Sequence, residues 1–262
     1  MRSPRTPRFT AAMSEVEPPQ WLSPQWPAPS TVRALSTTRR GGCSAGPYAG
    51  LNLADHVGDS PQAVAANRRA LASAADLPCE PLWLEQVHGP TCIEADGATG
   101  RPRADGAVAR HRGTVCAVLT ADCLPVLLCD RAGTTVAALH AGWRGMAAGI
   151  VEAGVAATAL APGRLMAWLG PAIGPRAYEV GEEVRAALSA ADPGAFRPSA
   201  RAGHWHADLC AVARSLLAAA GVTEVYGGGR CTASEPAEFF SYRRDGTCGR
   251  MATLIWHEGR GG

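Results

Sequence analysis

The sequence predicts an α+β layered domain, because short strand-like segments fill its middle and helix-like segments flank them. Two of these strand segments, residues 114–120 and 124–130, are almost continuously apolar, which is typical of strands buried on both faces. With 262 residues, of which 47% are hydrophobic, the chain can bury a sizeable core. We expect residues 21–262 to form one domain. Residues 1–20 are predicted to be a disordered extension, since prolines interrupt their basic start and no apolar signal core follows.

The predicted elements follow in chain order. A strand at 31–36 leads into a Gly-rich loop at 37–53, and a helix at 61–75 has Ser60 as its N-cap and Pro61 in its first turn. Six strand candidates come next, at 81–87, 91–95, 105–109, 114–120, 124–130 and 134–140. The last part is predicted to hold a helix at about 145–160, a strand at 164–170, helices near 180–191 and 206–220, and strands around 223–227 and 250–256.

The composition excludes several classes of function. All 25 basic residues are arginine, so chemistry that needs a lysine, such as a Schiff base or a P-loop phosphate clamp, is excluded. A formal net charge of +2 gives no basic surface for nucleic acid or for a membrane, and no apolar run reaches membrane-spanning length. Nine cysteines, an odd number without an export signal, are typical of reduced thiols, and we therefore expect a cytoplasmic protein.

Four histidine or cysteine side chains lie near predicted strand ends, where α/β proteins usually present side chains to ligands. They are His88 in EQVHG, Cys123 in TADCLP, His140 in ALHAGWRG and Cys231 in RCTAS. Zinc accepts mixed nitrogen and sulfur ligands, and three protein ligands leave a fourth position for water. His88, Cys123 and His140 are therefore a candidate catalytic zinc site, where bound water becomes a nucleophile near neutral pH.

Spacing alone leaves other interpretations of these residues open. Cys123 could be a buried thiol beside two ordinary loop histidines, because the pattern is not a standard zinc signature. It could also be a metal-free nucleophile, with His140 as its base and Asp122 or another acceptor orienting that base. Two histidines and a cysteine also match a blue-copper centre. A multicopper oxidase is excluded, because it needs several sites with His-x-His pairs and the seven histidines form one such pair, at 204 and 206.

Arginines beside glycine-rich turns supply candidate anion-binding groups. Arg39 precedes Gly41 and Gly42, whose backbone amides could hold an anion, and Arg144 lies in a turn that opens a helix four residues after His140. For the other arginines, including the group at 243, 244 and 250, a solvated surface position or a salt bridge is the expectation. The chain has no Rossmann glycine motif, no Walker motif and no zinc-deaminase signature.

Nine stretches of the chain, taken in order, form a sequence pattern that indicates a known protein family. They are TTRRGGCSAGPYAGLNLADHVGD, AVAANRRAL, LEQVHG, ADGAV, LTADCLPVLLCD, ALHAGWRG, LGPAIGPRAYEVG, the helix start at 208–209, and CTASEPAEFFSYRRDGTCGRMATLIW. Together they resemble the bacterial YfiH/YlmD-type laccase-domain family, which is also described as purine nucleoside phosphorylase, multicopper polyphenol oxidase-like or peptidoglycan editing factor. The resemblance covers about residues 31–256, and ADCLPV followed by HAGWRG is its most specific part.

The resemblance implies a fold, a metal and an activity. The fold would be an αββα layered sandwich with mixed sheets, similar in outline to a toxin deamidase with a Cys–His pair. The zinc ligands would be His88, Cys123 and His140, in agreement with the candidate set above. Such proteins are associated with phosphorolysis of adenosine, inosine and methylthioadenosine, with adenosine deamination, and with homodimers. The copper of the laccase label conflicts with the histidine count, so zinc is the expected metal.

Roles for the remaining candidate residues follow as hypotheses. In deamination, the Asp122 carboxylate would accept and donate the proton as a general base and acid. In phosphorolysis, Arg39, Arg144 and the amides of Gly41 and Gly42 would form the phosphate pocket. Two alternatives stay open beside the zinc enzyme of purine nucleosides. One is a metal-free Cys–His amidohydrolase that acts on peptidoglycan precursors, and the other is a non-enzymatic protein that binds a metal or a nucleotide.

Overall fold

The computed structural model of the protein describes residues 17–258. Within this range the strands are β1 (Trp21–Leu22), β2 (Val32–Thr37), β3 (Cys92–Glu94), β4 (Gly106–Ala109), β5 (Cys116–Thr120), β6 (Leu124–Asp130), β7 (Val136–Ala141), β8 (Leu165–Leu169), β9 (Glu179–Gly181), β10 (Phe196–Pro198), β11 (His204–Ala207), β12 (Glu224–Gly227) and β13 (Met251–His257). The α-helices are α1 (Pro61–Ala74), α2 (Trp143–Ala148), α3 (Ile150–Ala157), α4 (Glu182–Leu188), α5 (Leu209–Ala219) and α6 (Tyr242–Asp245).

Two sheets stack face to face in the centre of the molecule. The larger has the strand order β12-β8-β6-β7-β4-β3 and is mixed, because its two outer pairs are parallel and its inner pairs antiparallel. The smaller sheet, β1-β2-β13-β5, is antiparallel. Side chains alternate along each strand, so Leu127 of β6 packs with Val118 and Ile255 between the sheets, while its neighbour Val126 belongs to the buried cluster on the opposite face.

Helices cover the outer face of each sheet. On the larger sheet, Ile150 of α3 and Val212 of α5 share a buried cluster with Leu139 of β7. On the smaller sheet, Leu71 of α1 packs with Leu119 of β5. The layer order is therefore helix, sheet, sheet, helix, and the predicted α+β layered fold with mixed sheets is confirmed. Strands β5 and β6, which carry the near-continuous apolar runs, are buried on both faces as predicted.

Several element boundaries differ from the sequence prediction. Residues 81–87 form an extended segment rather than a strand, with isolated bridges at Leu82 and Glu85. The helix predicted at 145–160 is two helices, because Gly149 takes a φ of 96° between α2 and α3. The helices predicted from 180 and 206 start later, since the residues at their beginnings belong to β9 and β11 of a small antiparallel sheet with the order β10-β11-β9.

The start of the described chain packs on the loop that follows β2. The Gly42 amide donates to the Glu17 carbonyl at 3.0 Å, and the Thr38 amide donates to the Gln20 carbonyl at 2.8 Å. Glu17 and Gln20, which the sequence prediction assigned to a disordered extension, therefore have defined backbone partners. Residues 1–16 of that predicted extension lie outside the described residues.

Two further findings concern the whole described range. None of the helices within residues 17–258 has the length and hydropathy needed to cross a bilayer. All nine cysteines of the chain fall inside this range and are free thiols.

Candidate metal centre and active-site cleft

His88, Cys123 and His140 converge at one end of the larger sheet. Cys123 directly precedes β6, and His140 is the penultimate residue of β7, which pairs with β6 in antiparallel register. His88 reaches the same point from a loop, where its backbone takes a φ of 60°. One ligand atom from each side chain lies within 4.8 Å of the other two. The structure thus brings together the three residues that the sequence predicted as metal ligands.

A buried aspartate, Asp105, holds this arrangement in place. Its Oδ1 accepts hydrogen bonds from His140 Nδ1 at 2.8 Å and from the His88 amide at 2.9 Å. Its Oδ2 accepts from the amides of Val87 and Gly89 at 3.1 and 2.7 Å. Asp105 itself has no solvent exposure. One carboxylate therefore fixes both the loop that carries His88 and the ring of His140.

The hydrogen bond to Asp105 also fixes which nitrogen of His140 faces the cluster. Because Nδ1 donates to the carboxylate, Nε2 is the atom left for Cys123 or for a metal. A histidine whose second nitrogen is held by a carboxylate is the usual arrangement for a zinc ligand in proteins. Two imidazoles and a thiol, with one of the imidazoles oriented in this way, fit zinc well.

The thiol and imidazole of the cluster shift one another's pKa. Burial by itself raises the pKa of Cys123, but the charge of His140 and hydrogen bonds from His140 and His88 outweigh it and lower that pKa to about 6. Burial by itself lowers the pKa of His140, but the Cys123 thiolate and Asp105 raise it to about 9. Both shifts favour the pair of a thiolate and an imidazolium over the neutral thiol and imidazole. Metal binding at Nε2 would then release the imidazolium proton.

Gly142, the N-cap of α2, packs directly against this cluster, and its lack of a side chain leaves room for Cys123 and His88. A Cβ atom at this position would lie 2.8 Å from Cys123 Sγ and 3.4 Å from His88 Cδ2. The first distance is shorter than real Cβ contacts, so any side chain here displaces the sulfur.

We expect Gly142→Ala to weaken zinc binding by about tenfold or more, because the ligand sulfur must move from its position. Competition with a chelator of known affinity measures the change. Gly163→Ala is the matched control, since no atom lies within 4 Å of its added Cβ. Equal zinc affinity in the two variants would contradict the packing argument.

The three residues open into a cleft of about 420 Å³, which is a common size for small-molecule sites. The apolar and aromatic residues that line it include Trp143, Ile173, Tyr178 and Leu209. The polar and charged residues that line it include His56, Gln86, Asp122, Tyr242, Arg243 and Arg250. The cleft therefore offers an aromatic surface, cations and a candidate metal centre within one cavity.

Asp122 lines this cleft but does not orient His140. Its Oδ1 accepts from the Thr232 hydroxyl at 2.5 Å, and its Oδ2 accepts from the Arg243 amide at 2.7 Å. Its backbone takes a φ of 101°, a region that non-glycine residues rarely adopt. The sequence named Asp122 or another acceptor as the group that orients His140, and the structure assigns this position to Asp105.

The predicted phosphate-binding residues are not among those that line the cleft. Arg39 donates to the carbonyls of Pro236 and Ala49, and its guanidinium lies over the Phe240 ring. The Gly42 amide is already bonded to Glu17, and Gly41 packs against the backbone of Pro18. Arg144 does not line the cleft either, but its guanidinium stacks on the ring of Trp143, which does.

Other arginines occupy the cleft in their place. Arg243 and Arg250 were expected at a solvated surface or in salt bridges. Arg243 is exposed, as expected, and Arg250 is half-buried, and both line the cleft. Arg243 donates to the Glu179 carbonyl at 2.7 Å, and its guanidinium lies 5.0 Å from the centre of the Tyr178 ring. These arginines and Asp105 are the residues of the candidate site that sequence reasoning missed. All three lie in stretches that carried the family resemblance, ADGAV and SYRRDGTCGR.

Comparisons with known proteins place the chain in a family. Residues 33–258 match the family model described as multi-copper polyphenol oxidoreductase laccase. The chain is 54% identical over 239 residues to a Pseudomonas aeruginosa protein named purine nucleoside phosphorylase PA4543, covering 90% of this chain and 98% of the relative. It belongs to the YfiH/YlmD family.

Further members of the YfiH/YlmD family agree in sequence and in structure. The Escherichia coli K12 protein named purine nucleoside phosphorylase YfiH is 53% identical over 240 residues, with 90% of this chain and 98% of that protein covered. The crystal structure of Neisseria meningitidis NMB0706 superposes with a TM-score of 0.87 at 48% identity, covering 92% of this chain and 100% of that one. YlmD from Geobacillus stearothermophilus gives a TM-score of 0.85 at 36% identity, with 91% and 96% covered.

Proposed function

We propose that this YfiH/YlmD protein is a zinc-dependent purine nucleoside phosphorylase, which cleaves adenosine, inosine and methylthioadenosine and also deaminates adenosine. One observation carries the proposal. The cluster of His88, Cys123 and His140 lines a cleft that is also lined by aromatic and cationic side chains. Relatives that share 54% and 53% of their residues with this chain carry the name purine nucleoside phosphorylase, which supports the same chemistry here.

His88, Cys123 and His140 would hold the zinc ion. When bound, zinc supplies a Lewis acid that orients the substrate and lowers the pKa of a water molecule. The contribution of the chain is to fix the ligand atoms before the metal arrives. Asp105 does this for His140 and for the loop of His88.

The apolar and aromatic residues that line the cleft suit a purine base. Trp143 and Tyr178 offer aromatic surfaces, and Ile173 and Leu209 complete an apolar lining. Burial raises the pKa of Tyr178 well above its ordinary value, so its hydroxyl stays protonated and can donate a hydrogen bond. We propose that the base binds against these residues.

Arg243 and Arg250 supply positive charge for phosphate. In phosphorolysis a phosphate oxygen forms a bond to C1′ of the ribose while the bond from C1′ to the base nitrogen breaks. Fixed cations stabilise the phosphate and need no reorganisation during the reaction. Asp122, whose oxygens also bind Thr232 and Arg243, is the proposed proton carrier in deamination.

Product analysis tests the proposed function. The zinc-loaded protein is incubated with adenosine, inosine or methylthioadenosine, with and without phosphate. We expect free base and ribose 1-phosphate, or its methylthio analogue, only when phosphate is present, and we expect ammonia from adenosine in either case. Absence of phosphate-dependent base release from all three nucleosides would overturn the proposal.

A second candidate function rests on the hydrogen-bonded series from Cys123 to His140 to Asp105. This order of thiol, imidazole and carboxylate also occurs in hydrolases that use a cysteine nucleophile. A metal-free amidohydrolase would keep its activity after chelation and lose it after thiol alkylation. The zinc enzyme would lose activity on chelation and regain it when zinc is added back.

A further inference from the structure

His56 lies at the edge of the cleft and has no role in the function proposed above. Its Nδ1 lies 2.9 Å from Arg101 Nη2, and Arg101 Nη1 donates to Asp55 Oδ1 at 2.8 Å. His56 is also among the residues that line the cleft. The imidazole ring of His56 therefore contacts a guanidinium through Nδ1 and also lines the cavity.

The contact with Arg101 determines which tautomer His56 adopts. Two groups face Nδ1 of His56: the Arg101 guanidinium at 2.9 Å, which has only donors, and Asp55 Oδ1 at 3.5 Å, which accepts. Because the donor is the closer of the two, we assign Nδ1 as the acceptor, which places the proton of the neutral ring on Nε2. The charged groups around the ring are Asp55, with Oδ1 at 3.5 Å from Nδ1, Arg101, Arg250, and Arg68, which reaches Asp55 at 3.8 Å. Burial and then the charge of Arg101 lower the pKa of His56, which agrees with a neutral ring.

Arg250 lines the same cleft as His56, and its backbone amide donates to Oδ1 of Asn52, four residues before His56, at 2.9 Å. Its Nη1 donates to the carbonyls of Cys248 and Gly249 at 2.8 and 3.0 Å, which fixes the guanidinium beside the cavity. Its charge acts on His56, and both residues line the cleft. A fixed cation and a neutral N–H donor therefore line the same cleft.

We propose that His56 and Arg250 form the phosphate subsite, with His56 donating its Nε2 proton to a phosphate oxygen in a hydrogen bond and Arg101 as the positioning residue that fixes this tautomer. The inference rests on the proposed function, since it names where the phosphate of that reaction binds. A neutral imidazole holds the phosphate without transferring its proton, whereas an imidazolium could protonate the attacking oxygen and weaken the nucleophile.

Steady-state kinetics on His56→Ala and His56→Gln test the subsite. We expect His56→Ala to raise the phosphate KM about ten- to a hundredfold, the range for loss of one hydrogen bond to a charged group. The nucleoside KM should stay within about twofold. Glutamine keeps an N–H donor at a similar reach, so His56→Gln should recover part of the loss. An unchanged phosphate KM in His56→Ala, with nucleoside cleavage intact, overturns the inference and leaves the proposed function standing.

A pH series tests the positioning role of Arg101. In Arg101→Leu we expect the ionisation of His56 in the pH profile of the phosphate KM to move to higher pH than in the wild type. Burial of the ring remains, but the charge of Arg101, which also lowers the pKa of His56, is removed. A merely structural role would change the KM by the same factor at every pH. Arg103→Leu is the matched control, because Arg103 pairs with Glu85 at the surface, and it should keep the wild-type profile.

Direct binding separates failure of the inference from failure of the proposed function. Calorimetry with inorganic phosphate and the zinc-loaded protein needs no turnover. If phosphate binds to the wild type and binds more weakly to His56→Ala, while no nucleoside is cleaved, the subsite stands and the proposed function fails. Equal phosphate affinity in both proteins overturns the subsite.

Discussion

Replacing Asp105 with alanine is expected to weaken zinc binding by about ten- to a hundredfold, the usual cost of losing a carboxylate that orients a metal-ligating histidine. The variant frees His140 Nδ1 and the amides of Val87, His88 and Gly89 from their acceptor. Both the His140 tautomer and the loop that carries His88 then lose their restraint. Chelator competition measures the zinc affinity, and nucleoside cleavage should fall with it.

The same substitution should also destabilise the fold by about 3 kcal/mol, because buried donors are left without partners. Asp130→Ala is a matched control, since Asp130 is equally buried and accepts from three backbone amides at the far end of β6. It should lower the stability similarly while zinc affinity stays at the wild-type value. Loss of zinc affinity in both variants would show that general destabilisation, and not orientation of His140, is the cause.

Replacing Cys123 with serine is expected to have the largest effect on activity. The thiolate is the one sulfur ligand of the cluster, and a serine hydroxyl stays protonated near neutral pH and is a poor zinc ligand. We expect zinc affinity to fall by about a hundredfold or more and nucleoside cleavage to fall with it. Elemental analysis and turnover measured on one sample show whether the two losses coincide.

Cys231→Ser provides the control for this experiment. Cys231 accepts a hydrogen bond from the Gly174 amide at 3.1 Å, and it does not belong to the three-residue cluster. Its substitution should leave the zinc content unchanged. A Cys123→Ser protein that keeps its zinc would contradict the ligand assignment, and one that loses activity while it keeps zinc would favour the cysteine nucleophile.

The convergence of His88, Cys123 and His140 was predictable because each of them lies at the end of a recognisable apolar segment. The pairing of β6 with β7 then brings Cys123 and His140 together. The layered fold was predictable for a similar reason, since the long apolar runs of β5 and β6 indicate strands that are covered on both faces.

The groups that support the ligands could not be predicted in the same way. Asp105 gathers donors from residues 16 to 35 positions away, and no local pattern signals such a contact. Arg39 was expected near an anion because glycines follow it, but those glycines pack against residues 17–18. Arg243 and Arg250 enter the cleft through the tertiary packing of α6 and β13, which an isolated arginine-rich segment does not reveal.

Zinc removal and add-back, followed by phosphate-dependent cleavage of adenosine, tests the central claim most directly. We expect about one zinc per chain in the purified protein, loss of cleavage when a chelator removes it, and recovery when zinc is restored. Full cleavage by protein shown to be free of metal would contradict the account and would assign the chemistry to Cys123 as a nucleophile.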